Sequence, residues 1–275
     1  MIPKIIKTYN TLYLPYSHFW DLPFIWLFKI LNKKIILTVH DGILHTGEKN
    51  FITQTLNNFR IYGATELIFL SDHVMKNVFN HLKIQKKYSV IPHPILDNSY
   101  VKFDRINNDT TNKLLFLGRI DRYKGLEMLM RSVINNKTID KLIIAGKSNY
   151  NIDYLVDDRI QVVDKYLDEK EIGDLLSWAD VLVLPYTEAT QSGVITLGIY
   201  AEKIMICTEV GGFSEQLEKD ESYWCQPNEN SLSKIITKAF HDKENWPFIK
   251  KKLKEKKEKL SWDNISSEVE KKLAN

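Results

Sequence analysis

Short apolar segments alternate with segments of helical periodicity along most of the chain, and this pattern predicts an α/β fold with parallel sheets. Asp21 is predicted to be the N-cap of a helix over 22–31, with Pro23 as an early helical residue. Four strands are predicted in the first hundred residues: TLYLP (11–15), KIILTVH (34–40), ELIFL (66–70) and YSVIP (88–92).

A second series of elements begins near residue 113. Its helices are predicted to begin near Lys124, Asp168, Gly193 and Phe213, and Asp168 with Glu171 is typical of a capping box. One or two further helices are predicted over 246–275. The predicted strands are KLLFLG (113–118), KLIIAG (141–146), IQVVD (160–164), DVLVLP (180–185) and IMICT (204–208).

The polar segment DRINNDTTN (104–112) is the best candidate for a linker between the two series. We therefore predict a first α/β domain over 1–103, a second over 104–245, and closing helices over 246–275. The first domain has few strands for its class and begins without a glycine-rich turn, so we expect it to be truncated.

Composition adds little to this picture. The 275 residues are 44% hydrophobic, which is typical of a globular protein, and the net charge of +3 indicates no strongly charged partner. Two cysteines indicate no disulfide framework and favour a reducing compartment. No stretch reaches the roughly 18 apolar residues that a membrane span needs. We expect a cytoplasmic protein.

Two predicted turns carry residues suited to anions. In FLGRIDRYKGLEML (116–129), Arg119 and Lys124 flank a turn between a strand and a helix, where a fork of donors, a point charge and free N–H groups could hold a phosphate. In EATQSGVITLGIYAEK (188–203), Ser192 is a candidate N-cap, and the small residues around it allow a ligand close to the backbone.

Each turn alone is equally consistent with an ordinary surface loop. Together they favour a ligand site, because ligands of parallel sheets collect at the carboxyl ends of the strands. His40 and Asp41 end a strand of the first series, with His45 and Glu48 nearby. A metal cluster of these four residues is disfavoured because nothing fixes a tetrahedral set.

In this order, the motifs resemble the retaining glycosyltransferases of the GT-B fold, glycosyltransferase family four. GRIDRYKG resembles the family's G-R-x-x-x-x-K-G segment, and WADVLVLPY with TQSGVITLGIYAEKIMICTEVGGFSE resembles its donor-sugar segment and VGG turn. TVHD and SVIPHP are similar to the second half of the acceptor-side domain. LSWDNISSEVEKKL is similar to the helix that returns to that domain. The resemblance implies two Rossmann-like domains.

The resemblance also implies transfer of a hexose from a UDP- or GDP-linked nucleotide-sugar, with no cofactor and no required metal. Arg119 and Lys124 would hold the donor diphosphate and stabilise charge on the leaving group. His40 would bond a sugar hydroxyl, and Tyr166 would lie near the nucleobase. The implied catalytic residues are His40, Arg119 and Lys124, and the implied donor-binding residues are Gly118, Arg119, Lys124, Tyr166, Glu188, Thr190, Ser192, Gly193 and Val194.

The chain departs from the family at two glutamate positions separated by seven residues, which are occupied here by Thr190 and Gly198. Thr190 keeps a weaker hydrogen-bonding group, and Glu188 is a candidate replacement from two residues earlier. Gly198 has no side chain to bond a ribose, and glycine inside a helix costs about 1 kcal/mol relative to alanine.

The first hypothesis is a hexosyltransferase of cell-surface polysaccharide assembly that acts on a saccharide or lipid-linked acceptor. The alternative is an inactive nucleotide-sugar-binding fragment, or one half of a split glycosyltransferase with a separate N-terminal chain. A GT-B sugar epimerase ranks lower, because no convincing pair of groups for proton abstraction is present.

Two segments bear on other partners. The apolar stretch FWDLPFIWLF (19–28) is a candidate surface for a partner chain or a membrane face. The stretch KKKLKEKKEK (250–259) has seven lysines and two glutamates, a net charge of 7 − 2 = +5. A solvated helix is the favoured interpretation of it, and attraction to anionic lipid is the alternative. Nucleic acid is not expected, since aromatic residues do not interleave the basic ones.

Overall fold

A computed structural model of the protein describes residues 8–18, 20–40, 51–102 and 111–274. The chain divides into two compact units, one comprising residues up to His93 together with those from Trp262 onward, the other comprising Pro94–Ser261. This division differs from the boundaries expected from the sequence. Residues 94–102 belong to the second unit, and of the two closing helices only the last one belongs to the first unit.

The first unit contains a parallel sheet whose four strands follow one another in chain order. The strands are β1 (Thr11–Leu14), β2 (Lys34–Val39), β3 (Glu66–Phe69) and β4 (Lys87–Val90). Within the described residues, the helices of this unit include α1 (Asp21–Ile30), α2 (Phe51–Gly63), α3 (Asp72–Leu82) and, near the end of the chain, α10 (Trp262–Ala274).

The helix α1 begins one residue earlier than the sequence predicts. Trp20 occupies the N-cap position without a side-chain cap, so the prediction of Asp21 as the N-cap is wrong. The Asp21 carboxylate instead accepts the His18 backbone N–H and pairs with Arg60 Nε at 3.4 Å. Both partners of this pair are buried, which fixes the start of α1 against α2.

The second unit contains a parallel sheet of six strands in the order β10-β9-β8-β5-β6-β7. The strands are β5 (Lys113–Leu117), β6 (Lys141–Ala145), β7 (Ile160–Val163), β8 (Val181–Leu184), β9 (Ile204–Thr208) and β10 (Tyr223–Cys225). The helices are α4 (Leu126–Ile134), α5 (Glu169–Trp178), α6 (Gly193–Tyr200), α7 (Phe213–Gln216), α8 (Glu229–His241) and α9 (Trp246–Lys259).

The predicted capping box is confirmed. Asp168 Oδ1 accepts the Glu171 N–H at 2.8 Å, and Glu171 Oε2 accepts the Asp168 N–H at 3.1 Å. The helix expected near Lys124 begins at Leu126, because a 3₁₀ turn over Arg122–Lys124 precedes it. Strand β10 and helix α8 were not predicted from the sequence.

The strand order places β5 and β8 side by side in the middle of the second sheet, with Leu114 opposite Val181. Their carboxyl ends therefore lie next to each other. The two turns that the sequence singled out follow these two strands, and they are the turns that build the candidate site.

Candidate functional site

The turns after β5 and β8 are packed against each other through glycines. Gly118 has φ +114°, and a Cβ there would lie 3.1 Å from Val194 Cγ2 and 3.5 Å from Lys124 Nζ. Gly125 has φ +66°, and a Cβ there would lie 2.0 Å from the Pro185 carbonyl oxygen. Only glycine combines these backbone angles with such close approach. The structure thus brings Gly118, Lys124 and Val194 together.

We call Gly118, Lys124 and Val194 the Lys124 cluster, and the Lys124 side chain supplies its positive charge. It is 7% exposed, and its Nζ donates to the Tyr186 hydroxyl at 3.0 Å and lies 4.7 Å from the Tyr186 ring centroid. Within the described residues, no carboxylate forms an ion pair with Lys124. A buried ammonium without a counter-charge is unfavourable, so an anion is its chemical complement.

The start of α6 supplies backbone donors beside this cation. Ser192 occupies the N-cap position as predicted, but its side chain does not cap the helix, and its Oγ lies 3.5 Å from the Tyr186 hydroxyl. In the described part of the chain, no residue accepts a hydrogen bond from the backbone N–H of Gly193 or Val194. Unpaired N–H groups at a helix start favour an anion.

The Ser192 backbone itself is already bonded, which corrects part of the predicted set. Its N–H donates to Gln216 Oε1 at 2.8 Å, and Gln216 Nε2 donates to the Ser192 carbonyl at 3.2 Å. The Ser192 N–H is therefore not available to a phosphate in this arrangement. Gln216 instead holds the loop in place from α7.

Arg119 occupies a more exposed position than Lys124. Its side chain is 55% exposed, and its Nε lies 3.6 Å from Asp121 Oδ2. The other oxygen of Asp121 accepts a hydrogen bond from Asn149 Nδ2 at 2.8 Å. Asp121 thus anchors the turn, and the role of Arg119 toward a diphosphate stays a prediction.

The remaining predicted donor residues lie in two places. Thr190 is buried in the loop after β8, whereas Glu188 is exposed on the same loop. This loop is supported by the VGG turn, since the Gly212 N–H donates to the Ala189 carbonyl at 3.1 Å. Tyr166 is 80% exposed on the loop after β7, two strands away from β5, and its role stays a prediction.

Gly198 faces the sheet. A Cβ at this position would lie 2.5 Å from Met205 Sδ and 3.0 Å from Leu182 Cδ2. The glycine therefore permits close packing of α6 on β8 and β9. Close packing thus explains why a glycine stands at position 198, where the resemblance to the family implied a glutamate.

His40 lies in the first unit, at the carboxyl end of β2. Its Nε2 is 2.8 Å from the Pro15 carbonyl oxygen, and its ring stacks on Tyr16 with centroids 4.9 Å apart. A carbonyl only accepts hydrogen bonds, so Nε2 carries a proton. The other members of the disfavoured metal cluster, Asp41, His45 and Glu48, lie outside the described residues. Among those that are described, no group of three or more His, Cys, Asp or Glu could hold a metal ion.

The lysine-rich helix α9 contacts its own unit on one face. Lys256 Nζ lies 2.5 Å from Glu221 Oε2 and donates to the Gln216 carbonyl at 2.9 Å. Lys257 Nζ donates to the Tyr200 carbonyl at 2.9 Å. Helix α9 therefore supports both α7 and α6. In the ranges that the structure describes, no helix is long and apolar enough to cross a bilayer.

Sequence reasoning missed two residues of this site, Tyr186 and Gln216. Tyr186 stands two residues after the end of β8, directly following Pro185, and an aromatic hydroxyl at a strand's carboxyl end is a detectable signal. Gln216 lies 24 residues after Ser192, and no local pattern indicates that they meet.

Comparison with known proteins finds relatives in sequence and in fold. Residues 111–242, somewhat under half of the chain, match the family model described as Glycosyl transferases group 1. An uncharacterized glycosyltransferase of Methanocaldococcus jannaschii is 28% identical over 176 residues, which cover 58% of this chain and 44% of that protein. The chain thus spans less than half the length of this curated relative.

Solved structures match almost the entire chain. Sucrose-phosphate synthase from Thermosynechococcus elongatus aligns with a TM-score of 0.77 and 17% identity, over 99% of this chain and 77% of that one. HepE from Anabaena, solved in complex with UDP, aligns with a TM-score of 0.80 and 14% identity, over 99% and 81%.

The two parallel α/β sheets match those of GT-B glycosyltransferases, so the chain has a GT-B fold. More particularly, residues 111–242 are similar to the group 1 glycosyltransferases, since they match the model of that family.

Proposed function

We propose that this protein transfers a hexose from a UDP- or GDP-linked nucleotide-sugar to a saccharide or lipid-linked acceptor, with retention of anomeric configuration, in cell-surface polysaccharide synthesis. One observation carries the proposal: the buried Lys124 ammonium lies beside Gly118 and the unpaired N–H groups at the start of α6. A donor diphosphate supplies the negative charge that this arrangement lacks.

The known ligands of a structural neighbour support the choice of donor. HepE from Anabaena has been solved with UDP, with UDP and glucose, and with UDP-glucose. The pair of turns after adjacent central strands is also the expected place for such a ligand, because the crevice at the carboxyl ends of parallel strands binds nucleotides in open α/β sheets.

The proposed reaction makes specific use of the Lys124 cluster. The acceptor hydroxyl attacks the anomeric carbon on the face from which the diphosphate departs, and the bond between that carbon and the phosphate oxygen breaks. The hydroxyl proton passes to the departing phosphate, so no protein base is assigned. Lys124 and the Gly193 and Val194 N–H groups stabilise the negative charge that grows on the diphosphate. Arg119 is proposed to approach the same charge from the exposed side, and His40 to bond a sugar hydroxyl.

A Lys124→Ala variant tests the proposal. Loss of the buried Lys124 ammonium should lower UDP affinity about tenfold to a hundredfold, since hydrogen bonds to charged groups contribute about 1.5–3 kcal/mol. Calorimetric titration with UDP, UDP-glucose, GDP and GDP-mannose identifies the nucleotide, and product analysis of the preferred donor measures turnover. Lys137→Ala, an exposed lysine of the same unit, is the matched control.

The outcomes separate the two hypotheses. Nucleotide binding with turnover that Lys124→Ala abolishes supports the transferase. Binding without hydrolysis or transfer favours a nucleotide-sugar-binding fragment or one half of a split enzyme. Equal affinity in Lys124→Ala and Lys137→Ala contradicts the assignment of the site.

A further inference from the structure

The amino ends of the strands in the first unit form a positively charged edge. Helices that connect parallel strands run back against them, so α1, α2 and α3 end at this edge. Lysines gather at these helix ends and strand starts. We call them the amino-edge lysines: Lys29, Lys33, Lys34, Lys83, Lys86 and Lys87.

Lys86 is bonded to backbone carbonyls, and these contacts do not neutralise its charge. Lys86 Nζ donates to the Tyr62 carbonyl at 3.0 Å and to the Ala64 carbonyl, at the end of α2. These carbonyls carry no formal charge. Burial and the positive charge of Lys29 both lower the pKa of Lys86, so these two ammonium groups repel each other.

Carboxylates compensate little of this charge. Lys34 Nζ lies 3.7 Å and Lys87 Nζ 3.1 Å from the same Glu66 carboxylate oxygen. Within the described residues, neither Lys29 nor Lys83 forms an ion pair. The edge therefore carries a surplus of positive charge that an anionic surface would complement.

Exposed apolar side chains lie next to these lysines. Trp26 and Ile30 are one turn apart on α1, followed by Leu31, and they are 45%, 76% and 41% exposed. Lys29 Nζ lies 4.9 Å from the Trp26 ring centroid. A single exposed apolar residue is ordinary, but aromatic, aliphatic and lysine side chains side by side are typical of a surface that lies on lipid headgroups.

We propose that this edge of the first unit binds peripherally to a bilayer containing anionic phospholipid. The lysines contact headgroup phosphates, while Trp26, Ile30 and Leu31 enter the boundary between headgroups and acyl chains. The surplus charge favours this occupant over a second copy of the chain, because two such edges repel each other. The proposal is independent of the proposed transferase function.

Vesicle co-sedimentation of the full chain tests it. The chain should bind vesicles of equal parts phosphatidylcholine and phosphatidylglycerol, and should bind phosphatidylcholine vesicles much more weakly. Added salt should release it. Lys29→Gln with Lys83→Gln should weaken binding about five-fold per lysine, and Ile30→Ser with Leu31→Ser should weaken it as well.

Lys250→Gln with Lys251→Gln, on the exposed part of α9, is the matched control and should bind like the parent. Thermal unfolding confirms that each variant is folded. Three results would overturn the proposal: equal binding to both kinds of vesicle, an equal loss in the α9 control, or sedimentation without vesicles, which indicates self-association.

Discussion

The contact between Lys124 and Tyr186 holds a buried ammonium group without neutralising its charge. Burying an ammonium costs hydration free energy, which the Tyr186 hydroxyl and ring offset only in part. A carboxylate partner would neutralise the charge and occupy the position that a ligand needs. Tyrosine keeps the cation in place and leaves its charge available.

Gly198 gives a prediction at the same scale. In an ordinary helix, Gly→Ala stabilises by up to about 1 kcal/mol. Here the added methyl meets Met205 Sδ at 2.5 Å, so Gly198→Ala should destabilise the protein by about 1–3 kcal/mol. Urea unfolding measures the change.

A second substitution identifies the cause of that effect. Met205→Ala removes the group that the methyl meets, so Gly198→Ala should cost much less in the Met205→Ala background. If Gly198→Ala stabilises the parent protein, the proposed packing reason for this glycine is wrong.

Single residues of the site were predictable where local sequence determines them. Gly118 directly follows β5, Lys124 lies between β5 and the next α-helix, and Gly193 is the first residue of the α-helix after β8. Placing a residue in such a segment requires only the strand and helix pattern. The orientation of backbone groups was not predictable. The Ser192 N–H points to Gln216 because α7 packs there, and that contact depends on tertiary structure.

At the scale of elements, α7 is a short helix whose main contribution is to hold a loop. Both polar atoms of the Gln216 amide bond the Ser192 backbone, and the Gln216 carbonyl accepts from Lys256 on α9. This connection fixes the loop that presents Gly193 and Val194. It makes Gln216 a positioning residue for the proposed donor site.

Gln216→Ala should therefore weaken UDP binding about three- to ten-fold, since each lost hydrogen bond is worth about 1 kcal/mol. Ser214→Ala, exposed on the same helix, is the control. Gln216→Glu keeps the acceptor for the Ser192 N–H, but adds negative charge near the bound diphosphate. Calorimetry should show weaker binding for Gln216→Glu than for Gln216→Ala, whereas a purely structural role would give the opposite order.

Strands and helices were predictable from the sequence where the apolar runs were long. All nine predicted strands are present, within two residues at their ends. Strand β10 was missed because Tyr223–Cys225 is only three residues long, too short for a periodic pattern. The start of α1 was misplaced because the Asp21 carboxylate is used by Arg60, a partner from another helix.

At the scale of the whole molecule, the proposed donor diphosphate site and the proposed membrane surface lie in different units. The second unit holds the Lys124 cluster within a six-stranded sheet and matches a glycosyltransferase model. The first holds His40 at the carboxyl edge of its sheet and the amino-edge lysines at the opposite edge. We therefore expect a nucleotide to bind the second unit and an anionic membrane to bind the first.

Hydrogen exchange with and without UDP tests this separation directly. UDP should slow exchange in 118–125 and 186–194, because the proposed ligand contacts those turns and restricts their opening. Strands β1–β4 should exchange as before, and Lys124→Ala should remove the protection. Anionic vesicles should instead slow hydrogen exchange in α1, both in the parent chain and in Lys124→Ala. If UDP binds but protects neither turn, the nucleotide lies elsewhere, and the Lys124 cluster needs another anion to explain its buried charge.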